Sequence, residues 1–401
     1  MLGLAICTGI SQLAGAIVFV ILAKALTPLE FGHLSGAVFL QQLFTTIGIA
    51  GLRNVVIRES IQSPGKKGLI GGSYLFLSGG IGLFTVLITA LTVSFLPIGY
   101  DEKLAYLLIA FGHLGACLFP LALFDAEQLQ VEAAAITTIC EVGCLIAFAV
   151  CWWTNGITVP SAAVFFAAKW CVSSIIGLTQ FKLRHPAYGL RVDYLTLLDL
   201  LKSAQVLSLG TMLNVAPAAL GVTLTRILFG PIQAGLFAVA AFVFRTHATV
   251  IGLFTRTVYP HVIGKFGETK SFKRRLFAAY LGVTTTLTIV GAVCSELMIR
   301  YVLPMEFKQS RWMIALMLVA ATVRVGGIIG NMYLIAHQKE RRLTTIAVFG
   351  VMAFALTLLI PLDIAGGSRM ALATIVSATV TLLSLVSLFA SYTLSHSNER
   401  S

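Results

Sequence analysis

Long apolar runs separated by short polar segments dominate this chain. Twelve runs have the roughly 20 residues that a helix needs to cross the hydrocarbon core of a bilayer. They span residues 2–23, 33–52, 69–95, 104–124, 133–153, 160–180, 204–228, 233–254, 276–298, 312–336, 343–362 and 370–392. Segments of this kind must satisfy their backbone hydrogen bonds internally, which favours helices. The pattern predicts an all-α polytopic membrane protein with 12 transmembrane helices.

Composition excludes a soluble protein. Hydrophobic residues make up 58% of the chain and charged residues only 11%, and the mean hydropathy is +0.93. Soluble domains carry about 25% charged residues. The net charge of +12 therefore has to be interpreted through the positions of the basic residues relative to the membrane. Nucleic acid is not an expected partner.

The basic residues are unevenly distributed between the predicted loops. With the N-terminus inside, eighteen of the 28 Lys and Arg residues fall in inner segments, seven in outer segments and three within runs. Because Lys and Arg collect in cytoplasmic loops, both termini are predicted to be cytoplasmic. The inner segment 125–132 is an exception, since it carries Asp125, Glu127 and Glu132 and no base. Acidic residues weigh little in this rule, so the predicted topology stands.

The chain also contains an internal duplication. Pro28-Leu-Glu-Phe-Gly32 recurs as Pro231-Ile-Gln-Ala-Gly235, and each copy opens the second apolar run of one half. Arg53 and Arg256 follow their respective prolines at the same distance of 25 residues. We predict two pseudo-symmetric six-helix lobes around a central cavity, residues 1–190 and 204–401, joined by a cytoplasmic linker, residues 191–203. Parallel repeats of this type are common in transporters that work by alternating access.

Motifs for the common enzyme chemistries are absent from the sequence. There is no G-x-x-x-x-G-K-[ST] phosphate loop, no HExxH and no CxxC pair, and Pro64-Gly-Lys-Lys-Gly68 is only a basic turn. The predicted outer loops are too short to hold a glycosyltransferase or polymerase site. We therefore predict a transporter that is not an enzyme and that has no cofactor and no metal site.

Four ionisable residues lie deep within predicted spans, where each costs at least ~2.5 kcal/mol. Glu141, Lys169, Arg245 and Arg324 are all roughly 20 Å from the outer ends of their helices. Glu141 and Lys169 belong to adjacent spans and either form a neutralising ion pair or serve the transport cycle, with Glu141 carrying a proton and Lys169 contacting substrate. His247, by contrast, is predicted to be a helix-packing residue.

Arg245 and Arg324 have no acidic residue at their depth in the sequence. We expect both to face a water-filled cavity, where planar guanidinium groups suit phosphate oxygens. Arg53 and Arg256 lie at the inner ends of their spans. They are either ordinary positive-inside arginines or a symmetric substrate-binding pair at the cytoplasmic mouth, which Arg58 would extend.

The segment Ala23-Lys-Ala-Leu-Thr-Pro28-Leu-Glu-Phe-Gly32, followed by a span and then Gly51-Leu-Arg53-Asn-Val-Val-Ile-Arg58, resembles the opening of O-antigen (Wzx-type) polysaccharide flippases. These belong to the multidrug/oligosaccharidyl-lipid/polysaccharide (MOP) exporter superfamily. The resemblance implies a monomer in the bacterial inner membrane that moves an undecaprenyl-diphosphate-linked oligosaccharide to the periplasmic leaflet. It also implies partners such as a glycan polymerase and other assembly proteins.

In the related lipid II flippases, arginines of the second and eighth helices line the cavity, which implies a comparable role for Arg53 and Arg256. Both lie nearer the inner mouth than a central site needs, and the chain lacks the two extra C-terminal helices of those relatives.

Three alternatives are open. A multidrug/cation antiporter of the same superfamily usually has a carboxylate in its first span, whereas residues 2–23 contain no acid. A major facilitator carrier would have a D-R-x-G-R-R-type loop after its second span, where Ser63-Pro-Gly-Lys-Lys stands here. A scaffold for glycan assembly would not need arginines at the midplane.

Overall fold

A computed structural model describes the backbone of residues 2–95, 98–154, 156–186, 188, 191–265, 270–336, 340–360 and 364–398. Within these ranges it leaves out the side chains of 45–48, 50, 54, 206–219, 253, 256–265, 270–274, 276–277, 329–336, 340–341, 343 and 388–398.

Thirteen α-helices account for most of the described chain, and no strand occurs in it. They are α1 (Leu2–Ala25), α2 (Pro28–Gln62), α3 (Lys67–Phe95), α4 (Tyr100–Leu118), α5 (Leu121–Ala126), α6 (Gln130–Thr154), α7 (Val159–Arg184), α8 (Tyr194–Phe229), α9 (Pro231–Lys265), α10 (Lys270–Leu297), α11 (Ser310–Ala336), α12 (Glu340–Leu359) and α13 (Gly366–Asn398). Each predicted span coincides with one long helix, except that α4 and α5, interrupted at Pro120, share the fourth.

Nine helical stretches of the described residues are long and apolar enough to cross a membrane. The apolar parts of α8 and α12 are shorter, covering Leu220–Phe229 and Thr344–Leu359, and no part of α2 is among these stretches. The all-α polytopic architecture predicted from the sequence is therefore confirmed.

The repeated proline motif begins a helix in both halves of the chain. Thr27 caps α2, and its backbone N–H donates to Glu30 Oε2 at 2.9 Å, which completes a reciprocal capping box. Pro231 begins α9 directly after Gly230, whose φ of +87° favours glycine. Proline suits the first helical position because its missing N–H would have no partner there. The shared initial proline supports the predicted duplication.

The chain forms two compact units, Met1–Met212 and Leu213–Ser401. In unit 1, α4 packs against α2, α3 and α7, whereas in unit 2, α11 packs against α9, α10 and α13. These pairings correspond when the helices of the two halves are matched in chain order. The boundary between the units falls within α8, downstream of the segment 191–203 predicted to be a linker.

Exposed aromatic residues lie at several helix ends that are predicted to be periplasmic, and Tyr194 lies at the predicted cytoplasmic start of α8. In unit 1 these are Tyr100, at the start of α4, and Trp153, near the end of α6. In unit 2 they are Tyr301 and Trp312, on either side of the connection between α10 and α11. Tyr and Trp favour the membrane–water interface because they combine an apolar ring with a polar group. Their positions agree with the span ends predicted from hydropathy.

Small residues allow α4 and α7 to approach closely. A Cβ atom added at Gly112 would lie 2.5 Å from Ala167 Cα, and one at Gly115 would lie 2.9 Å from Cys171 Cα. The Ser174 hydroxyl also donates a hydrogen bond to the Gly115 carbonyl across this interface. Backbone contact of this kind stabilises helix pairs in lipid, where the hydrophobic effect does not drive association.

We predict that Gly112→Ala destabilises the protein, because the nearest obstacle is backbone rather than a movable side chain. Gly143→Ala in α6 is the matched control, since an added Cβ meets nothing within 4 Å there. Alanine should stabilise α6 at that position by about 1 kcal/mol through its helix propensity. Thermal unfolding in detergent measures both changes. Equal effects of the two substitutions would contradict the close-contact interpretation.

The acidic segment 125–132 is neutralised by bases from other inner segments. Each of its three acids forms an ion pair with a base distant in sequence: Asp125 with Arg53, Glu127 with Lys67 at 2.6 Å, and Glu132 with Arg184 at 2.9 Å. These pairs link the inner ends of α2, α3 and α7 to the connection between α5 and α6. The segment itself contains no base, and its three acids are neutralised by bases of other helices that the fold brings next to them.

Glu127 accepts two hydrogen bonds at this inner end. Its Oε1 atom receives them from Lys67 Nζ at 2.6 Å and from the Tyr188 hydroxyl at 3.1 Å. Burial alone would raise the pKa of the Glu127 carboxyl, but the bonds from Lys67 and Tyr188 outweigh burial and lower it. Burial, together with the Glu127 carboxylate, raises the pKa of the Tyr188 hydroxyl.

A carboxyl with a lowered pKa stabilises the folded state above its unfolded pKa, about 4.3 for Glu, and loses this effect as the pH falls through the lowered value. We therefore expect Glu127→Gln to reduce the melting temperature at pH 7 and to have little effect in strong acid. Glu306→Gln, at an exposed position, is the control. A melting-temperature difference that does not change with pH would contradict this assignment.

Candidate functional site

The deep charges of unit 1 form an ion pair. Lys169 Nζ on α7 lies 2.9 Å from Glu141 Oε2 on α6, and the two side chains are 11% and 18% exposed. The ammonium group also lies 5.2 Å from the ring centroids of Phe166 and Trp170, within range of cation–π attraction. The sequence thus places both residues at one depth, and the structure brings their charges into contact.

Two further elements complete the surroundings of this pair. Gly15 on α1 lies next to the carboxylate, since a Cβ added there would be 3.5 Å from Glu141 Oε1. Trp170 packs edge-on against His113 of α4, with ring centroids 4.1 Å apart. The pair therefore joins α6 to α7 next to Gly15 of α1.

We predict strong coupling between Glu141 and Lys169 in stability. Removing one partner leaves an uncompensated charge, at a cost of about 3 kcal/mol, whereas removing both avoids that cost. Glu141→Gln and Lys169→Met should each lower the melting temperature, and the double variant should recover much of the loss. A double-mutant cycle in detergent measures the coupling. Additive losses would contradict a stabilising pair.

In unit 2, Arg324 extends from α11 toward α9. Its guanidinium carbon lies 5.6 Å from the centroid of the Phe244 ring, and its side chain is only partly exposed. No carboxylate among the described residues lies within 4.0 Å of it. An aromatic ring stabilises a guanidinium without neutralising its charge, so Arg324 retains its capacity for an anion.

Arg245 follows Phe244 directly on α9, so the contact between Arg324 and Phe244 places both arginines at one depth of unit 2. The Arg245 side chain is exposed in this unit. The sequence predicts the common depth by counting residues from the outer ends of two spans, and the contact between α9 and α11 supports it.

The predicted residues of the cytoplasmic mouth have different surroundings. Arg53 donates from Nε to Asp125 Oδ2 at 2.8 Å. Arg58 is exposed, and its guanidinium lies 3.0 Å from the carboxylate of the neighbouring Glu59. Arg256 belongs to α9, but its side chain lies outside the described residues.

Unit 2 contains a cluster of polar side chains, His247, Thr288 and Thr322, that the sequence does not indicate as functional. His247 Nε2 on α9 lies 3.4 Å from Thr288 Oγ1 on α10, which lies 2.9 Å from Thr322 Oγ1 on α11. The spacing of Tyr280, Thr284 and Thr288 at every fourth position of α10 is the signal that could have found this group. Such spacing places hydroxyls on one face of a helix.

No family model and no curated relative matches the chain. Solved structures do match over nearly its whole length. An inward-facing multidrug resistance MATE family transporter of the MOP superfamily has a TM-score of 0.71 at 12% identity, covering 97% of this chain and 98% of that one. The lipid II flippase MurJ, in an inward closed conformation, has a TM-score of 0.71 at 13% identity, covering 97% and 88%.

A third structure is a MOP superfamily transporter from Pyrococcus furiosus, described as having a binding pocket of reverse polarity, with a TM-score of 0.55 at 12% identity, covering 97% of this chain and 94% of that one. These likenesses show that the chain has the fold of MOP superfamily transporters, as the resemblance implies. The O-antigen type stays a prediction.

Proposed function

We propose that the protein is a flippase that moves an undecaprenyl-diphosphate-linked oligosaccharide from the cytoplasmic to the periplasmic leaflet by alternating access. The observation that carries this proposal is the pair of deep arginines in unit 2, Arg245 and Arg324. Arg324 contacts an aromatic ring and no carboxylate of the described chain. A site of this charge favours an anionic substrate.

The balance of deep charges supports the same substrate class. Lys169 is neutralised by Glu141 at 2.9 Å, so the deep charge of unit 1 is close to zero, whereas Arg324 of unit 2 contacts an aromatic ring and no carboxylate of the described residues. A guanidinium binds phosphate oxygens through two parallel hydrogen bonds, which a lysine cannot do. A lipid diphosphate therefore suits unit 2, and MurJ, which shares the fold, is a lipid II flippase.

Arg53, Arg58 and Arg256 are proposed to receive the diphosphate at the cytoplasmic mouth. Because Arg53 is already bound to Asp125, its contact with a phosphate would require exchange of the carboxylate for the substrate. Lys169 could contact the glycan only after a similar exchange with Glu141. We accordingly assign the principal substrate contacts to Arg324 and Arg245. The lipid bilayer and a glycan polymerase remain the proposed partners.

Transport by Arg324→Ala should fall at least about tenfold, since a hydrogen bond to a charged group contributes about 1.5–3 kcal/mol. Arg324→Lys should retain part of the activity because it keeps the positive charge. It should not reach the wild-type rate because an ammonium group cannot form the two parallel hydrogen bonds of a guanidinium. Flipping of a fluorescent undecaprenyl-diphosphate saccharide in proteoliposomes, quantified by dithionite quenching, measures both rates.

Arg300→Ala is the matched control, because this exposed arginine near Glu296 lies at the predicted periplasmic end. Its rate should equal that of the wild type. Wild-type rates from an Arg245→Ala/Arg324→Ala variant that folds normally would overturn the proposed site.

A multidrug/cation antiporter is the second candidate, because Glu141 is an intramembrane carboxylate and the MATE transporter shares the fold. Ethidium efflux from proteoliposomes under a pH gradient separates the two functions. Efflux abolished by Glu141→Gln and unaffected by Arg324→Ala would favour the antiporter. The reverse pattern, with flipping of the lipid diphosphate, would favour the flippase.

A further inference from the structure

The segment 191–203, predicted from hydropathy to be a cytoplasmic linker, begins in contact with α3. A Cβ atom added at Gly72 would lie 2.8 Å from the Arg191 backbone nitrogen and closer still to its carbonyl oxygen. The neighbouring Ser73 hydroxyl donates to the Asp193 carbonyl at 3.4 Å. Gly72 lies about one helical turn inside the third predicted span, within a stretch that is long and apolar enough to cross a membrane. The segment therefore begins at membrane depth.

Helix α8 starts at that level and is fixed to unit 1 along one face. The Asp193 carboxylate caps the helix by accepting from the Thr196 backbone N–H at 2.8 Å and from the Thr196 hydroxyl at 2.7 Å. Leu200 and Ala204 are buried in the same apolar cluster as Tyr74 of α3. Because Leu200 and Ala204 are four residues apart, they lie on one face of the helix. The other sides of its first three turns point away from this core.

The two sides of α8 that flank this buried face differ in polarity. With about 100° of rotation per residue, apolar residues fall on one side and polar residues on the other. The apolar flank consists of Tyr194, Leu198 and Leu201, and the polar flank consists of Thr196, Asp199 and Ser203. Tyr194 is 71% exposed and Leu201 is 42% exposed, and Asp199 and Ser203 are exposed as well. The described part of the protein therefore leaves both flanks largely uncovered.

Membrane depth determines what can cover each flank. An apolar surface at this depth is stabilised by lipid, and a tyrosine such as Tyr194 suits the membrane–water interface. Asp199 forms no ion pair with the described residues, and an ionised carboxylate is too costly in hydrocarbon to face lipid. The polar flank therefore requires water. A helix with one apolar and one polar side is typical of the interface between lipid and water.

The length of α8 allows its two flanks to meet different surroundings. The helix has 36 residues and is therefore about 54 Å long, well beyond the roughly 30 Å of the hydrocarbon core. A helix of this length tilts or bends in the bilayer. In an inclined helix, one flank of the first turns faces the acyl chains and the opposite flank faces the aqueous side.

We propose that residues 191–203 lie in the membrane interface, where the backbone contact at Gly72 holds them, with the apolar flank against lipid and the polar flank against water. The partner of the apolar flank is thus the bilayer itself. The connection between the two halves of the chain is attached to the membrane as well as to unit 1. This inference does not depend on the substrate proposed above, so the two can fail separately.

Collision measurements on nitroxide labels test the two flanks. A label attached through p-acetylphenylalanine, which leaves the seven cysteines intact, replaces Leu201 or Ser203 in nanodiscs of phosphatidylethanolamine and phosphatidylglycerol. These positions point about 160° apart around the helix. At Leu201 the label should collide more often with oxygen than with a water-soluble nickel chelate, as at the exposed Ile139 within α6. At Ser203 the preference should be reversed, as at Gly65 in the exposed basic turn.

Every other pattern overturns the proposal. Preference for the chelate at both positions places the segment in water, and preference for oxygen at both places it wholly in lipid. A label at Leu201 that is shielded from both reagents means that a second copy or another protein covers the apolar flank. Labels at Tyr194 and Asp199, which also belong to opposite flanks, repeat the comparison if a label at Leu201 or Ser203 prevents folding.

The variant Gly72→Ala tests the anchor. Its added Cβ would meet the backbone of Arg191, so the collision ratio of the label at Leu201 should shift toward that of Gly65. Gly80→Ala on the same helix, where an added Cβ meets nothing within 4 Å, should leave the ratio unchanged. An unchanged ratio in Gly72→Ala as well would overturn the role of Gly72 in holding the segment at this depth.

Discussion

The free-energy cost of placing charge in hydrocarbon governs the whole structure. Backbone polar groups avoid it by forming helices, and ionised side chains avoid it only through partners. In unit 1 the deep charges lie together as Glu141 and Lys169, with two aromatic rings against the ammonium group. In unit 2, Arg324 has an aromatic neighbour and no described carboxylate. The two units thus differ in how their deep charges are stabilised, although the helices that surround α4 and α11 correspond.

The duplication explains why the halves share a framework and yet differ in chemistry. Helices α2 and α9 have the same initial proline, but one is capped by Thr27 with Glu30 and the other follows a glycine at positive φ. The helices that pack against α4 and against α11 also correspond in chain order. A framework held by these shared packings leaves individual polar positions free to diverge, as His247 in α9 and the corresponding Phe44 in α2 illustrate.

Much of the fold could be predicted from the sequence, because hydropathy and the positions of basic residues report directly on membrane insertion. Every predicted span coincides with a helix, and the depths assigned to Glu141 and Lys169 agree with their contact. The network of the acidic segment could not be predicted, since Asp125, Glu127 and Glu132 find their partners on helices far away in sequence. His247 resembled a packing residue because a single buried histidine has no periodic signal, and its hydroxyl partners are ordinary threonines until two other helices bring them together.

The three ion pairs at the inner end of unit 1 also bear on how the protein is made. Each pair closes between segments that leave the ribosome at different times, and Arg184, which pairs with Glu132, follows it by two complete helices. Arg53 and Lys67 precede their acidic partners Asp125 and Glu127 in the chain, so both are synthesised before the ion pairs can form. In the topology predicted from the sequence, unpaired Arg and Lys residues favour the cytoplasmic side during insertion. In that topology the same side chains would first favour one orientation and later form ion pairs in the folded bundle.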